Sequence, residues 1–186
     1  ELRNTLGADA LILSNIIRAR LDDAGLKYLN YFDGSYIEGF EHAVKGIERK
    51  DYVAKGIAAI QKAARSGKMI AFTIGSKGYA DTDMDEEGSK TQQKKTSSQD
   101  RFTYALALFL ISAEKHSYFM FTDGFGIDGS ANKDWMKQWP ELSKPLGPPK
   151  GPAHQSGYLY RRSFQNAEVE VNIEDETATI HWIAPK

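Results

Sequence analysis

Cysteine is absent from the chain. That excludes disulfides, thiolate nucleophiles and cysteine-ligated zinc, and it leaves the redox compartment open. A dominant charge is missing too. The 24 basic and 25 acidic residues leave a formal net charge of −1, so no overall field favours nucleic acid or an anionic membrane as a partner. Long hydrophobic runs are lacking. The longest, YALALFLISA at 104–113, falls short of the roughly 20 residues that span a bilayer. Cation and phosphate motifs are lacking as well. DTDMDEE at 81–87 has no loop glycine and no distant glutamate, so it reads as a solvated charge run and not as an EF-hand. His42, His116, His154 and His181 show no metal-ligand spacing. The glycines of 124–129 do not open a helix as phosphate loops do. No metal and no cofactor is therefore expected. The chain opens at Glu1 with neither Met nor a signal peptide. This reads as a processed or truncated start and favours a secreted location.

What is present is a chain of 186 residues, 41% hydrophobic and 11% aromatic. That is enough for a packed core, in one domain or in part of a larger one. Ala10, Leu13, Ile17, Leu21 and Ala24 recur at helical spacing and predict a helix over 8–24, stopped by Gly25. The aromatic run YLNYF at 28–32 reads as the following strand. A second helix is predicted over 51–66, with Val53, Ile57, Ile60 and Ala64 on one face and Asp51 at its positive end. KMIAFTIG at 68–75 reads as a buried strand. Residues 76–99 have no hydrophobic period and read as a long polar loop. Asp100 is placed to cap a third helix, 101–115, which is apolar on nearly all sides and so expected deep in the core. SYFMFTDG at 117–124 gives a third strand. Repeated helix–strand units predict an α/β fold on a parallel sheet with crossover helices.

The character changes after residue 131. Residues 132–157 hold five of the six prolines and read as an extended segment. YLYRRSF (158–164), AEVEVNI (167–173) and TATIHWI (177–183) then alternate apolar with polar residues, as short half-buried strands do. Asn166 and Glu174–Glu176 are the expected turns.

Two strands of this reading run into Asp-Gly. Asp33 precedes Gly34, and Asp123 precedes Gly124. Ligands of parallel α/β folds sit beyond the carboxyl ends of strands. Glu38 follows in the loop after Asp33, among Tyr36, Ile37 and Phe40. Such acids divide into an acid and a base when their surroundings differ, and glycoside hydrolysis needs that pair. An aromatic setting disfavours a charged carboxylate, which suits Glu38 to the acid role and leaves an aspartate as nucleophile or base. The plainer alternative is that each Asp-Gly is turn chemistry alone. Tyr36, Phe40, Tyr79, Phe125, Trp135 and Trp139 are the aromatic residues near the strand ends on which sugar rings would stack.

YFDGSYIEGF, YFMFTDG and the ending WPELSKPLGPPKGP…GYLYRRSFQNAEVEVNIEDETATIHW resemble the C-terminal half of a glycoside-hydrolase-like family with a (β/α)8 barrel. In that family a late barrel strand carries DG-aromatic-x-[DE]. A Trp- and Pro-rich segment with LG-x-P follows, and a β-tail of the form Y-x-R-x-F-x-NG-x-V-x-VN closes the chain. Tyr160, Arg162, Phe164, Asn166, Val169, Val171 and Asn172 fit the tail; Ala167 stands where glycine is usual, and Glu168 and Glu170 where apolar residues are usual.

The resemblance implies a partial TIM-type (β/α)8 barrel over 1–131, an extended segment over 132–157, and β-strands over 158–186 that pack on the barrel. A complete barrel takes about 250 residues. The remainder would come from a missing N-terminal half, from another chain or from oligomerisation. Carbohydrate is the implied partner, and hydrolysis of an O-glycosyl bond near Asp33, Glu38 and Asp123 is the implied reaction. A second class stays open: a non-catalytic carbohydrate-binding or structural remnant of such a barrel.

Overall fold

The computed structural model describes residues 2–38, 40–41, 46–75, 97–121 and 138–184. After a short α1 (Leu2–Leu6) comes a parallel sheet in the order β1 (Leu13–Ser14), β2 (Gly34–Ile37), β3 (Met69–Ile74) and β4 (Ser117–Phe121). Its crossover helices are α2 (Arg49–Arg65) and α3 (Ser98–Ser112). A separate antiparallel sheet follows, in the order β5 (His154–Ser156), β6 (Leu159–Ser163), β7 (Ala167–Asn172) and β8 (Thr177–Trp182). The fold is therefore mixed α/β, with a parallel and an antiparallel sheet as expected.

α2 forms where its period demands. Val53, Ile57, Ile60 and Ala64 are all buried, Asp51 stands in the first turn, and Gly67 ends the helix at φ +86. α3 starts three residues earlier than expected. Ser97 is its cap: the Ser97 hydroxyl oxygen accepts the Asp100 N–H at 3.0 Å and donates its proton to Asp100 Oδ2 at 2.6 Å. Residues 98–99 are thus helix and not loop, while 76–96 lie outside the described residues. α3 is apolar all round because it lies between the sheets, with β4 on one side, β6, β7 and β8 on the other, and α2 alongside. Phe102, Leu108 and Ile111 are fully enclosed there, each contributing roughly 1.5–3 kcal/mol of burial.

Two expectations near the start are corrected. Residues 8–24 are not a helix. Leu13 and Ser14 pair with Gly34 and Ser35, and the N–H groups of Ile16 and Ile17 donate to Ser35 Oγ at 3.3 and 3.2 Å. These backbone groups find their partners outside any helix. Asp23 accepts the N–H groups of Gly25 and Lys27, and Ala24 and Gly25 adopt positive φ of 55° and 80°. That is turn chemistry. Residues 28–32 are not a strand either. Leu26–Tyr31 form a 3-10 helix that buries Leu29, and β2 begins only at Gly34. A Cβ at Gly34 would lie 2.1 Å from the Met69 carbonyl oxygen, so glycine there lets β2 approach β3 instead of making a sharp turn.

The parallel sheet has two unlike faces. Ile37, Phe72 and Phe119 are register partners and face the helices, with the Phe72 ring 5.9 Å from Phe109 and Phe102 set edge-on to Phe121 at 5.3 Å. Alternation gives the other face Leu13, Tyr36, Met69, Tyr118 and Met120. Tyr118 is 56% and Met120 50% exposed. Parallel sheets are ordinarily covered on both faces.

In the antiparallel sheet Tyr160, Val169 and Val171 point inward and are buried. Glu168 and Glu170 fall on the outer face, where Glu170 pairs with Arg161 at 2.6 Å and Glu168 with Lys150 at 3.4 Å. Acidic residues fit these tail positions because strand alternation turns them to solvent. Ala167 is fully buried. A further short strand, β5, lies inside the proline-rich stretch.

Candidate functional site

Because β2, β3 and β4 run parallel, their carboxyl ends lie together at one end of the sheet. Glu38 follows the last residue of β2 directly and is half-buried. Its carbonyl accepts from Arg18 Nη1 at 3.4 Å. Asp33 sits at the opposite, amino end of β2. Five residues of extended chain separate the two by about 16 Å. The expectation that Asp33 closes a strand beside Glu38 is corrected, since the aromatic run before it is the 3-10 helix.

Asp33 instead holds the N-terminal segment. It accepts the Ile12 N–H at 2.8 Å, and Arg3 Nη2 reaches both carboxyl oxygens at 2.7 Å. The Ile12 N–H first, and the Arg3 guanidinium second, keep its carboxyl below the usual carboxylate range. Its own N–H and C=O bond to Ile12 O and Met69 N, both at 2.9 Å.

Asp123, Tyr79, Phe125 and Trp135 lie outside the described residues. Tyr36 is on the open face, with its Oη 3.4 Å from Thr73 Oγ1. Thr73 donates to the Ile37 carbonyl at 3.0 Å. Phe40 and Trp139 turn into the core. The Phe40 ring lies 4.7 Å from Phe72, and a Cβ on Gly56 would meet it at 2.8 Å. Trp139 stacks on Phe102 at 4.1 Å and meets Phe121 edge-on at 5.6 Å. Neither ring presents an open face.

A cluster not found by sequence reasoning lies just past Glu38. The Glu41 side chain is 2% exposed and takes a forked pair from Arg101, Nη1 to Oε1 at 3.0 Å and Nη2 to Oε2. Arg101 Nε donates to the Gly75 carbonyl at 3.1 Å. Arg49 Nη2 approaches Glu41 Oε1 at 3.5 Å, while Arg49 Nη1 holds Glu176 at 2.6 Å. Burial pushes the Glu41 carboxyl up, but the Arg101 and Arg49 guanidinium groups outweigh it and hold it below the ordinary value. Burial, and then the Glu41 charge, push the Tyr104 hydroxyl well above its ordinary range. That hydroxyl has no hydrogen-bond partner among the described residues. One signal was available in the sequence. Arg101 is the single basic residue in the otherwise apolar run of α3, and a buried guanidinium needs a carboxylate.

Among the described residues no three His, Asp or Glu side chains converge on a metal-sized site, and no helix is long and apolar enough to cross a membrane. The family model described as hypothetical glycosyl hydrolase family 15 matches residues 1–168. No curated protein matches the chain.

Proposed function

The chain belongs to the hypothetical glycosyl hydrolase family 15, and on that premise we propose that it hydrolyses an O-glycosyl bond of an oligo- or polysaccharide, with Glu38 as general acid. The observation that carries this is the shared direction of β2, β3 and β4. Glu38 follows β2 at once, and Asp123 comes two residues after β4 in the sequence. Strands two apart in a sheet stand about 10 Å apart. Side chains that reach inward from that spacing can span the roughly 5–9.5 Å carboxyl separations of glycosidases. Asp123 is accordingly the nucleophile or base. Asp33, at the other end of β2 and engaged by Arg3, has no part in the reaction.

The parallel sheet is read as an arc of a (β/α)8 barrel. Two observations support this. The strand order β1-β2-β3-β4 follows the chain without reversal, as in a barrel and unlike a doubly wound sheet, which reverses at its switch point. The face away from the helices is apolar and half open, as a barrel interior is before its remaining strands close over it. Those strands would come from more of the same polypeptide or from another chain. The carbohydrate would enter at the carboxyl ends, with Tyr36 and the aromatic residues Tyr79, Phe125 and Trp135 as its stacking partners. The open face also favours the second reading, a carbohydrate-binding remnant without turnover.

The test is release of new reducing ends from a panel of α- and β-linked oligosaccharides. The parent should turn over at least one of them. Glu38→Gln and Asp123→Asn should each lower kcat at least 100-fold while the unfolding midpoint stays within about 2 °C. Binding without turnover in the parent would establish the remnant reading instead. Neither binding nor turnover would end both.

A further inference from the structure

We propose that Arg101 is a positioning residue for Glu38, acting through Glu41 and the Gly75 carbonyl. This rests on the reading of Glu38 as the acid of the site. A single guanidinium in the first turn of α3 uses three of its nitrogens on two other elements. Nη1 and Nη2 grip Glu41, three residues beyond Glu38, and Nε takes the carbonyl of Gly75, the residue after β3. The carboxyl ends of β2 and β3 are thereby tied to each other and to α3.

Glu38 lies between two fixed points. On one side Ile37 is buried, and its carbonyl is held by Thr73. On the other, Phe40 is locked against Phe72 and Gly56, and Glu41 is clamped by Arg101. Stability alone is a poor reason for such a clamp. A buried ion pair is often no more stabilising than apolar residues of the same size, because both charges lose their water. What the forked pair provides is orientation. Its place, at the carboxyl ends of strands and beside the proposed acid, is where orientation matters to catalysis.

The experiment compares the parent with Arg101→Lys and with the double variant Glu41→Met/Arg101→Met. The double variant removes both charges of the forked pair together, and Arg49, which loses its approach to Glu41, keeps its bond to Glu176. Amide hydrogen exchange is read on the peptide spanning Glu38 to Glu41, and kcat and KM are read on whichever oligosaccharide of the panel the parent cleaves. The double variant should fold with an unfolding midpoint within a few degrees of the parent. Exchange in the 38–41 peptide should rise at least 10-fold, and kcat should fall at least 10-fold while KM changes less than twofold. Arg101→Lys keeps the charge but loses the fork, and it should show the same split. Unchanged exchange at 38–41 in the folded double variant, or a loss carried by KM with kcat intact, would overturn the proposal. A parent without turnover would count against the hydrolase reading alone, and the exchange result would then decide whether Arg101 holds the segment.

Discussion

Arg162 of β6 donates from Nη1 to the Leu110 carbonyl at 3.0 Å, inside the last turn of α3. The same nitrogen reaches the Ala113 carbonyl, Nη2 takes Glu114 at 3.2 Å, and Nε takes the Gly151 carbonyl at 3.3 Å. The last carbonyls of a helix have no partner within it, and a cation suits that end of its dipole. Arg162 is thus the joint between the antiparallel sheet and the core helix. Arg162→Leu should lower stability by roughly 2–4 kcal/mol in chemical denaturation, since buried carbonyls lose their donors. Arg162→Lys should recover less than half, because one ammonium cannot serve so many acceptors. A loss under about 0.5 kcal/mol for Arg162→Leu, the scale of an ordinary surface substitution, would show that the tail is held by its apolar face alone.

Gly34→Ala should be costly although its φ is unexceptional. The added methyl would lie 2.1 Å from the Met69 carbonyl oxygen, and a backbone atom cannot step aside as a side-chain tip can. Forcing β2 from β3 should cost roughly 1–3 kcal/mol or more. It should also raise amide exchange at Met69 and Ile70, which pair along this edge. Parental stability in Gly34→Ala would mean that β2 and β3 lie further apart than described.

Acid should loosen the protein through Glu41. Its carboxyl is held below the ordinary value in the folded state because Arg101 and Arg49 outweigh its burial. A group depressed on folding contributes stability that is present above its unfolded value, about 4.3 for glutamate. That stability is lost as pH falls through the lower folded value. The urea midpoint of the parent should therefore decline steadily below about pH 4.3. In Glu41→Gln the midpoint should start lower at neutral pH and decline less steeply. Parallel acid limbs in parent and variant would remove Glu41 as a source of the decline.

Much of this fold could be read before the structure, and the reason is burial on one side. α2 and β6–β8 each set a single face against the core, so helical or alternating periods emerge in their residues, while β3 and β4 are legible as short, nearly continuous apolar runs. α3 betrayed its depth by being apolar all round. Residues 8–37 misled for a local reason. Ile17 and Ala24 are buried from irregular chain and a turn and not from a helix face, while Leu13 and Leu21 of the same stripe are exposed and Ala10 is half-buried. β1 has only two residues, too few to show any period. The Glu41–Arg101 pair spans 60 positions, and charge pairing over that distance leaves no pattern in a single sequence. Asp33 reads in the sequence as a site acid at the end of a strand; in the structure it stands before β2 and binds Arg3 and the Ile12 N–H, contacts that the Asp-Gly pair alone does not foretell.

The central claim is that Glu38 delivers a proton to the leaving oxygen. It is tested most directly by comparing Glu38→Gln with the parent on two substrates that share one glycone. One carries an alkyl or sugar leaving group that needs protonation, and the other a dinitrophenolate that departs without it. General acid catalysis is worth roughly 10²–10⁴ in rate. The variant should lose at least 100-fold on the first substrate and less than 10-fold on the second. An equal loss on both, or no loss on either, would contradict the assignment of Glu38 as the acid.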